Sequence, residues 1–310
     1  KYRIYNTYGR INYNQIIAPL ITFIAAITLG HNLNAILLFA IIFIANASSF
    51  ISFFYKSPLS NRLYFRKSIA KIVVGRGVHL MLYSFSIQLI TLSATTMVSV
   101  FYLPAELGYF SLAVSMANAL TMLVGSIWFM VYPKILNRLS THDKRANVMY
   151  LNKIHDYYVF CIDSILVVVL AILVVVCRFF PQYIGSIYTL RILIVGQIII
   201  SSTNGFSTLL IARKKEFEMT KIGLLSVLVV ATVSFTVYYI GAKFYFIGAG
   251  IVAGIALYSF LVIRRALMLL DIRDIKVITQ YFMPYRKLLM ILLISLSVFI
   301  DADYVLYGVL

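Results

Sequence analysis

The sequence predicts an all-α, polytopic transmembrane bundle of about nine spans. Three observations carry that expectation. Hydrophobic residues make up 62% of the 310-residue chain and charged residues only 12%, whereas soluble domains hold roughly 45–50% and 25%. Apolar runs near the length needed to cross about 30 Å of hydrocarbon recur along the chain. The basic residues alternate with those runs. The net charge of +17 would point to nucleic acid in a soluble protein. Here the charge sits between apolar runs, which points to a membrane and away from nucleic acid.

The runs cover residues 14–30, 34–55, 79–102, 107–132, 158–177, 189–212, 220–241, 244–263 and 288–300, the last being short. Inside lipid the backbone must satisfy its own hydrogen bonds, so each run is expected to be helical. Runs of this length without alternation exclude β-barrel strands. Of the 27 Lys and Arg residues, all but Arg178, Arg191 and Lys243 fall in every second connection. By the positive-inside rule this bias predicts a cytoplasmic N-terminal end. The expected organisation is residues 1–55 as two spans, 56–78 as a cytoplasmic linker, 79–263 as a six-span bundle, and 264–310 as a cytoplasmic loop with an extra span. The connection 133–157 is helix-compatible and reads as a surface helix. The chain opens on Lys1-Tyr2-Arg3, from which an N-terminally truncated chain is expected.

Polar residues recur at helical spacing inside three spans. Ser84, Gln88, Thr91, Thr95 and Ser99 share one face. Ser111, Ser115 and Asn118 share another, and Gln197, Ser201, Asn204 and Thr208 a third. Such stripes either line a hydrated cavity or make interhelical hydrogen bonds. The amides of Gln88, Asn118, Gln197 and Asn204 favour the cavity, because an unpaired amide is costly in lipid.

Asp163 lies inside the fifth run near its cytoplasmic end. It is either a coupling carboxylate or, as its shallow position favours, an interfacial group. Arg178 and Arg191 flank the outer connection after the fifth run. They form either a basic vestibule for anions or a pair of snorkelling side chains.

Gly248-Ala249-Gly250-Ile251-Val252-Ala253-Gly254 matches a dinucleotide fingerprint on paper but lacks the soluble βαβ setting that motif requires. Gly250 and Gly254 are expected to be a close helix-packing site instead. Cys161 and Cys177 fall in one expected helix about 24 Å apart, too far for a disulfide. The sequence carries no HExxH, P-loop or G-x-S-x-G motif, so neither an enzyme nor a metal or cofactor is expected.

Leu107-Gly108-Tyr109-Phe110-Ser111-Leu112-Ala113, with its exit at Tyr132-Pro133-Lys134, resembles a span of bacterial polysaccharide flippases. So do Leu190-Arg191-Ile192-Leu193, the stretch from Ser207 to Lys214, and the stretch from Gly241 to Gly250. The resemblance covers nearly the whole chain as a pattern of spans with few fixed residues. It implies the multidrug/oligosaccharidyl-lipid/polysaccharide exporter fold, with two bundles around a central cavity. The implied activity is flipping of an undecaprenyl-pyrophosphate-linked oligosaccharide across the bacterial inner membrane for O-antigen or capsule assembly. The implied partners are that substrate, membrane lipid, a polysaccharide polymerase and a chain-length regulator. A drug or cation antiporter of the same superfamily is the nearest alternative, and a membrane polysaccharide polymerase the alternative from another class.

Overall fold

The computed structural model describes residues 21–22, 24–25, 28, 35–54, 67–140, 143–179, 184–284, 287–288, 291–292 and 294. Among them every regular element is helical. The order is α1 (Ala35–Phe54), α2 (Lys67–Phe101), α3 (Pro104–Leu139), α4 (Lys144–Phe179), α5 (Ile184–Ser201), α6 (Asn204–Ala212), α7 (Glu216–Tyr239), a 3-10 turn (Phe244–Phe246), α8 (Ile247–Met268) and α9 (Ile275–Phe282). Gly77–Phe101, Glu216–Tyr239 and Phe244–Met268 are each long and apolar enough to cross a membrane. Gly185–Ser201 and Asn204–Ala212 pass the same test together as one span bent by 46°. Among the described residues there are thus three helices long and apolar enough to cross a membrane, or four if the bent pair is one span, which is consistent with a membrane protein. The expected runs 14–30 and 288–300 lie largely outside the described residues.

The chain divides into two compact units, Lys1–Ala70 and Lys71–Leu310. In the first, α1 is mostly apolar, with Phe39, Phe43, Ile44 and Ile51 exposed. Such a surface is stable only in an apolar surrounding. Asn46 in this helix donates from Nδ2 to the Ile42 carbonyl at 2.8 Å.

In the second unit, α7 and α8 pack closely because small residues let their backbones approach. A Cβ added to Gly250 would lie 2.5 Å from Ser234 Oγ and 3.1 Å from the Val230 carbonyl. One added to Gly254 would lie 3.0 Å from the Ser226 carbonyl. The Gly250/Gly254 pair is thus a helix-packing site, as the sequence suggests. Gly223 of α7 receives Ser86 of α2 in the same way. Buried Ile90, Ala94, Val98, Phe110, Leu193, Ile194, Ile198, Leu209, Val230, Ile251 and Tyr258 complete the core.

The two ends of this unit differ chemically. At one end Glu218 pairs with Arg265 and Lys215, and Lys144 pairs with Asp271. These contacts gather connections the sequence marks as basic. At the other end Phe101 stacks on Tyr238 (4.3 Å between centroids) and Tyr188 meets Tyr245 (5.4 Å). There the Tyr102 hydroxyl donates to the Ala242 carbonyl at 2.9 Å. A charged end and an aromatic end suit the two interfaces of a bilayer.

Several helices run past the expected spans. α2 begins at Lys67 rather than near residue 79. α3 continues through Pro133 to Leu139 and α4 starts at Lys144. The expected surface helix over 133–157 is therefore two helix extensions, one on each side of residues 141–142. Hydrophobicity marks where a helix enters lipid, not where its hydrogen-bond ladder stops.

Candidate functional site

The polar stripes of the sequence separate into two groups in the structure. On α2, Ser84, Gln88 and Ser99 are exposed and Thr91 and Thr95 half-buried, while Ser86, Ile90, Ala94 and Val98 form the packed face. On α3, Ser115 and Asn118 are exposed and Ser111 half-buried, with Phe110, Ala113 and Ala117 packed inward. These two stripes lie on faces that the second unit leaves uncovered. Hydroxyls there bond within their own helix, as from Thr95 to the Thr91 carbonyl (3.0 Å) and from Ser99 to the Thr96 carbonyl (2.8 Å). A Gln or Asn has two donors and an acceptor to place, so Gln88 and Asn118 define the polar character of those faces.

The third stripe points into the protein. Ser201 and Thr208 are buried, and Gln197 and Asn204 half-buried. Thr208 donates to the Asn204 carbonyl at 3.0 Å. Ser201 lies at the break between α5 and α6. There the Ser202 and Thr203 amides donate only three residues back, to Ile199 and Ile200 (3.2 and 2.9 Å), the tighter 3-10 pattern. The Ile198 carbonyl takes side-chain donors instead: Ser201 Oγ at 2.6 Å and Lys287 Nζ at 2.8 Å.

Lys287 is the residue that sequence reasoning missed. Its place in a basic stretch suggests a solvated loop cation, yet its side chain is 0% exposed. Its ammonium also donates to Ser201 Oγ at 2.5 Å and Ser202 Oγ at 2.7 Å. Ser202 Oγ in turn donates to the Phe282 carbonyl at 3.3 Å. Burying an ammonium costs several kcal/mol unless hydrogen bonds replace its water. Three oxygens at the C-terminal end of α5, where the helix dipole is negative, make that replacement.

Beside this cluster, a cavity of about 360 Å³ is lined by Asn152, His155, Asp156, Val277, Gln280, Tyr281 and Pro284. His155 Nε2 lies 3.2 Å from the Tyr281 carbonyl, which can only accept, so Nε2 carries the hydrogen. Its Nδ1 lies 3.6 Å from Asp156. Burial, reinforced by the Lys287 cation, pushes the His155 imidazole below its usual range.

Arg191 is half-buried and borders a second cavity of about 320 Å³ with Ile192, Val195, Ala249, Val252, Ala253, Ala256 and Ile294. That lining is apolar apart from Arg191. The side chains of Asp163 and Arg178 lie outside the described residues. Among the described residues no group of three or more His, Cys, Asp or Glu side chains could hold a metal ion.

Fold and site together define a helical protein with helices long and apolar enough to cross a membrane, two exposed polar helix faces and an internal lysine at a broken helix. No protein-family model, curated protein or solved structure matches the chain.

Proposed function

We propose that this chain moves a lipid-linked oligosaccharide, of the undecaprenyl-pyrophosphate type, between the leaflets of a bacterial inner membrane. The observation that carries the reading is the exposure of Gln88 within Gly77–Phe101, a helix long and apolar enough to cross a membrane, together with the exposure of Asn118 on α3. A large glycan headgroup needs a hydrated, hydrogen-bonding path while its lipid tail stays in hydrocarbon. Amides and hydroxyls along α2 and α3 would supply the wall of such a path. The broken span at Ser201–Asn204 supports the same reading, since discontinuous helices are a recurrent device of transporters that alternate access. The reading includes nine spans with the N-terminal end cytoplasmic, supported by the alternation of basic connections. No bond is made or broken, so the residues bind and exclude rather than catalyse.

The test is complementation of a strain that lacks its own flippase. Expression of the full-length protein should restore surface polysaccharide, and Gln88→Leu with Asn118→Leu should abolish it at unchanged membrane abundance. Failure of the unaltered protein to restore it in a matched glycan background would reject the proposal.

A further inference from the structure

We propose that the break between α5 and α6 is a monovalent-cation site, occupied in this chain by the Lys287 ammonium as a tethered ligand. The site is built before the lysine is considered. Ser201-Ser202-Thr203-Asn204-Gly205 is a run of small and polar residues that turns the backbone from α-helical to 3-10 bonding. The turn moves the Ser202 amide from the Ile198 carbonyl to that of Ile199, and the Ile198 carbonyl, with two hydroxyls, meets one point. That point is the C-terminal end of an 18-residue helix, where the dipole favours a cation. Freed carbonyls and half-helix C-termini are what broken membrane helices offer to coupling cations.

Lys287 meets all three oxygens within 2.5–2.8 Å, the range of charge-assisted hydrogen bonds. It reaches the site from the segment after α9, where its own amide donates to the Pro284 carbonyl at 2.9 Å. Ser202 joins the two parts by bonding Phe282 at the end of α9. His155, Asp156, Asn152 and Tyr281 lie on the cavity side of that segment. The ligand class is a primary ammonium or an ion of similar size and charge. A cation carried on the chain needs no sodium from solution and ties the α9 segment to the bend. This inference stands whether or not the substrate is a lipid-linked glycan.

The experiment is chemical rescue of the purified protein in detergent, read as Tm. Lys287→Ala should lower Tm, and methylammonium chloride should recover a saturable part of the loss. Tetramethylammonium chloride at the same concentration should not, because it has no N–H and is too bulky. Lys287→Ala with Ser201→Ala and Ser202→Ala should show no difference between the two salts, and the unaltered protein none either. Equal Tm for Lys287→Ala and the unaltered protein, equal effects of the two salts on Lys287→Ala, or rescue that survives loss of both hydroxyls would overturn the proposal. If Lys287→Ala does not fold, acylation of the unaltered protein decides. Lys287 should react at least about tenfold more slowly than exposed Lys276, as a group reached only by local opening does. Equal rates would overturn the site.

Discussion

The Lys287 ammonium lies 2.5 Å from Ser201 Oγ, so a residue from a basic stretch and a residue from an apolar span meet inside the protein. Ser201→Ala removes one acceptor of a buried charge. The expected loss is about 1.5–3 kcal/mol, the range for hydrogen bonds to charged groups. Thermal unfolding in detergent checks it. Ser99→Ala, on the exposed face of α2, should cost far less, since its hydroxyl bonds only its own helix at the surface.

His155 makes the protein sensitive to acid. Its imidazole is held below the usual 6.5 by burial and by Lys287. Well above pH 6.5 it is neutral in folded and unfolded states alike and contributes no pH dependence. As pH falls below 6.5 the unfolded state takes up the proton first, so stability falls until pH passes the lowered folded value. Tm should therefore drop between pH 7.5 and 5.5, and the drop should be smaller in His155→Gln. An identical pH profile for the two would show that His155 is not the group responsible.

Gly250 and Gly254 hold α7 against α8. Gly250→Leu forces side-chain atoms into Ser234 and the Val230 carbonyl, an overpacking that costs about 1–3 kcal/mol or more. Gly108→Ala, where a Cβ meets nothing within 4 Å, should be neutral or stabilise by up to about 1 kcal/mol. Comparing monodisperse yield and Tm of the two variants separates packing from helix propensity.

Two exposed surfaces should differ in wetness. Gln88→Cys and Asn118→Cys, in a background without Cys161 and Cys177, should react with a small polar thiol reagent in native membranes. Leu228→Cys, on an exposed apolar face of α7, should be protected by lipid. Equal reactivity at all three would remove the distinction between a hydrated and a lipid-facing surface.

The charged and aromatic ends should lie on opposite sides of the membrane. Cysteines at Lys215 and Asp274 should be shielded from an impermeant reagent in intact cells, and cysteines at Glu106 and Lys243 labelled. Labelling of Lys215 and Lys243 positions together would break the assigned orientation.

Much of this was legible in the sequence, and the reasons are specific. Basic residues such as Arg213, Lys215 and Arg265 mark helix ends because charge is excluded from hydrocarbon. Gly250 and Gly254 signal close approach because nothing else fits there. The stripe from Ser84 to Ser99 is visible from spacing, although spacing cannot say that its face is uncovered while that of Ser201 is filled. Lys287 was illegible because a lysine beside Arg286 reads as solvated, and only the fold brings it to Ser201. The run Ser201-Ser202-Thr203-Asn204-Gly205 carries the signal for the break: four residues that compete with helical hydrogen bonding, followed by a glycine.

The most direct test of the central claim is a leaflet-protection assay. The protein is reconstituted into liposomes that carry a polyprenyl-pyrophosphate-linked oligosaccharide in both leaflets, and an added glycosidase digests the outer glycan. The account predicts that glycan protected in empty liposomes becomes digestible when the protein is present, and remains protected with Gln88→Leu, Asn118→Leu. Continued protection with the unaltered protein, or digestion as rapid with the double variant, would contradict it.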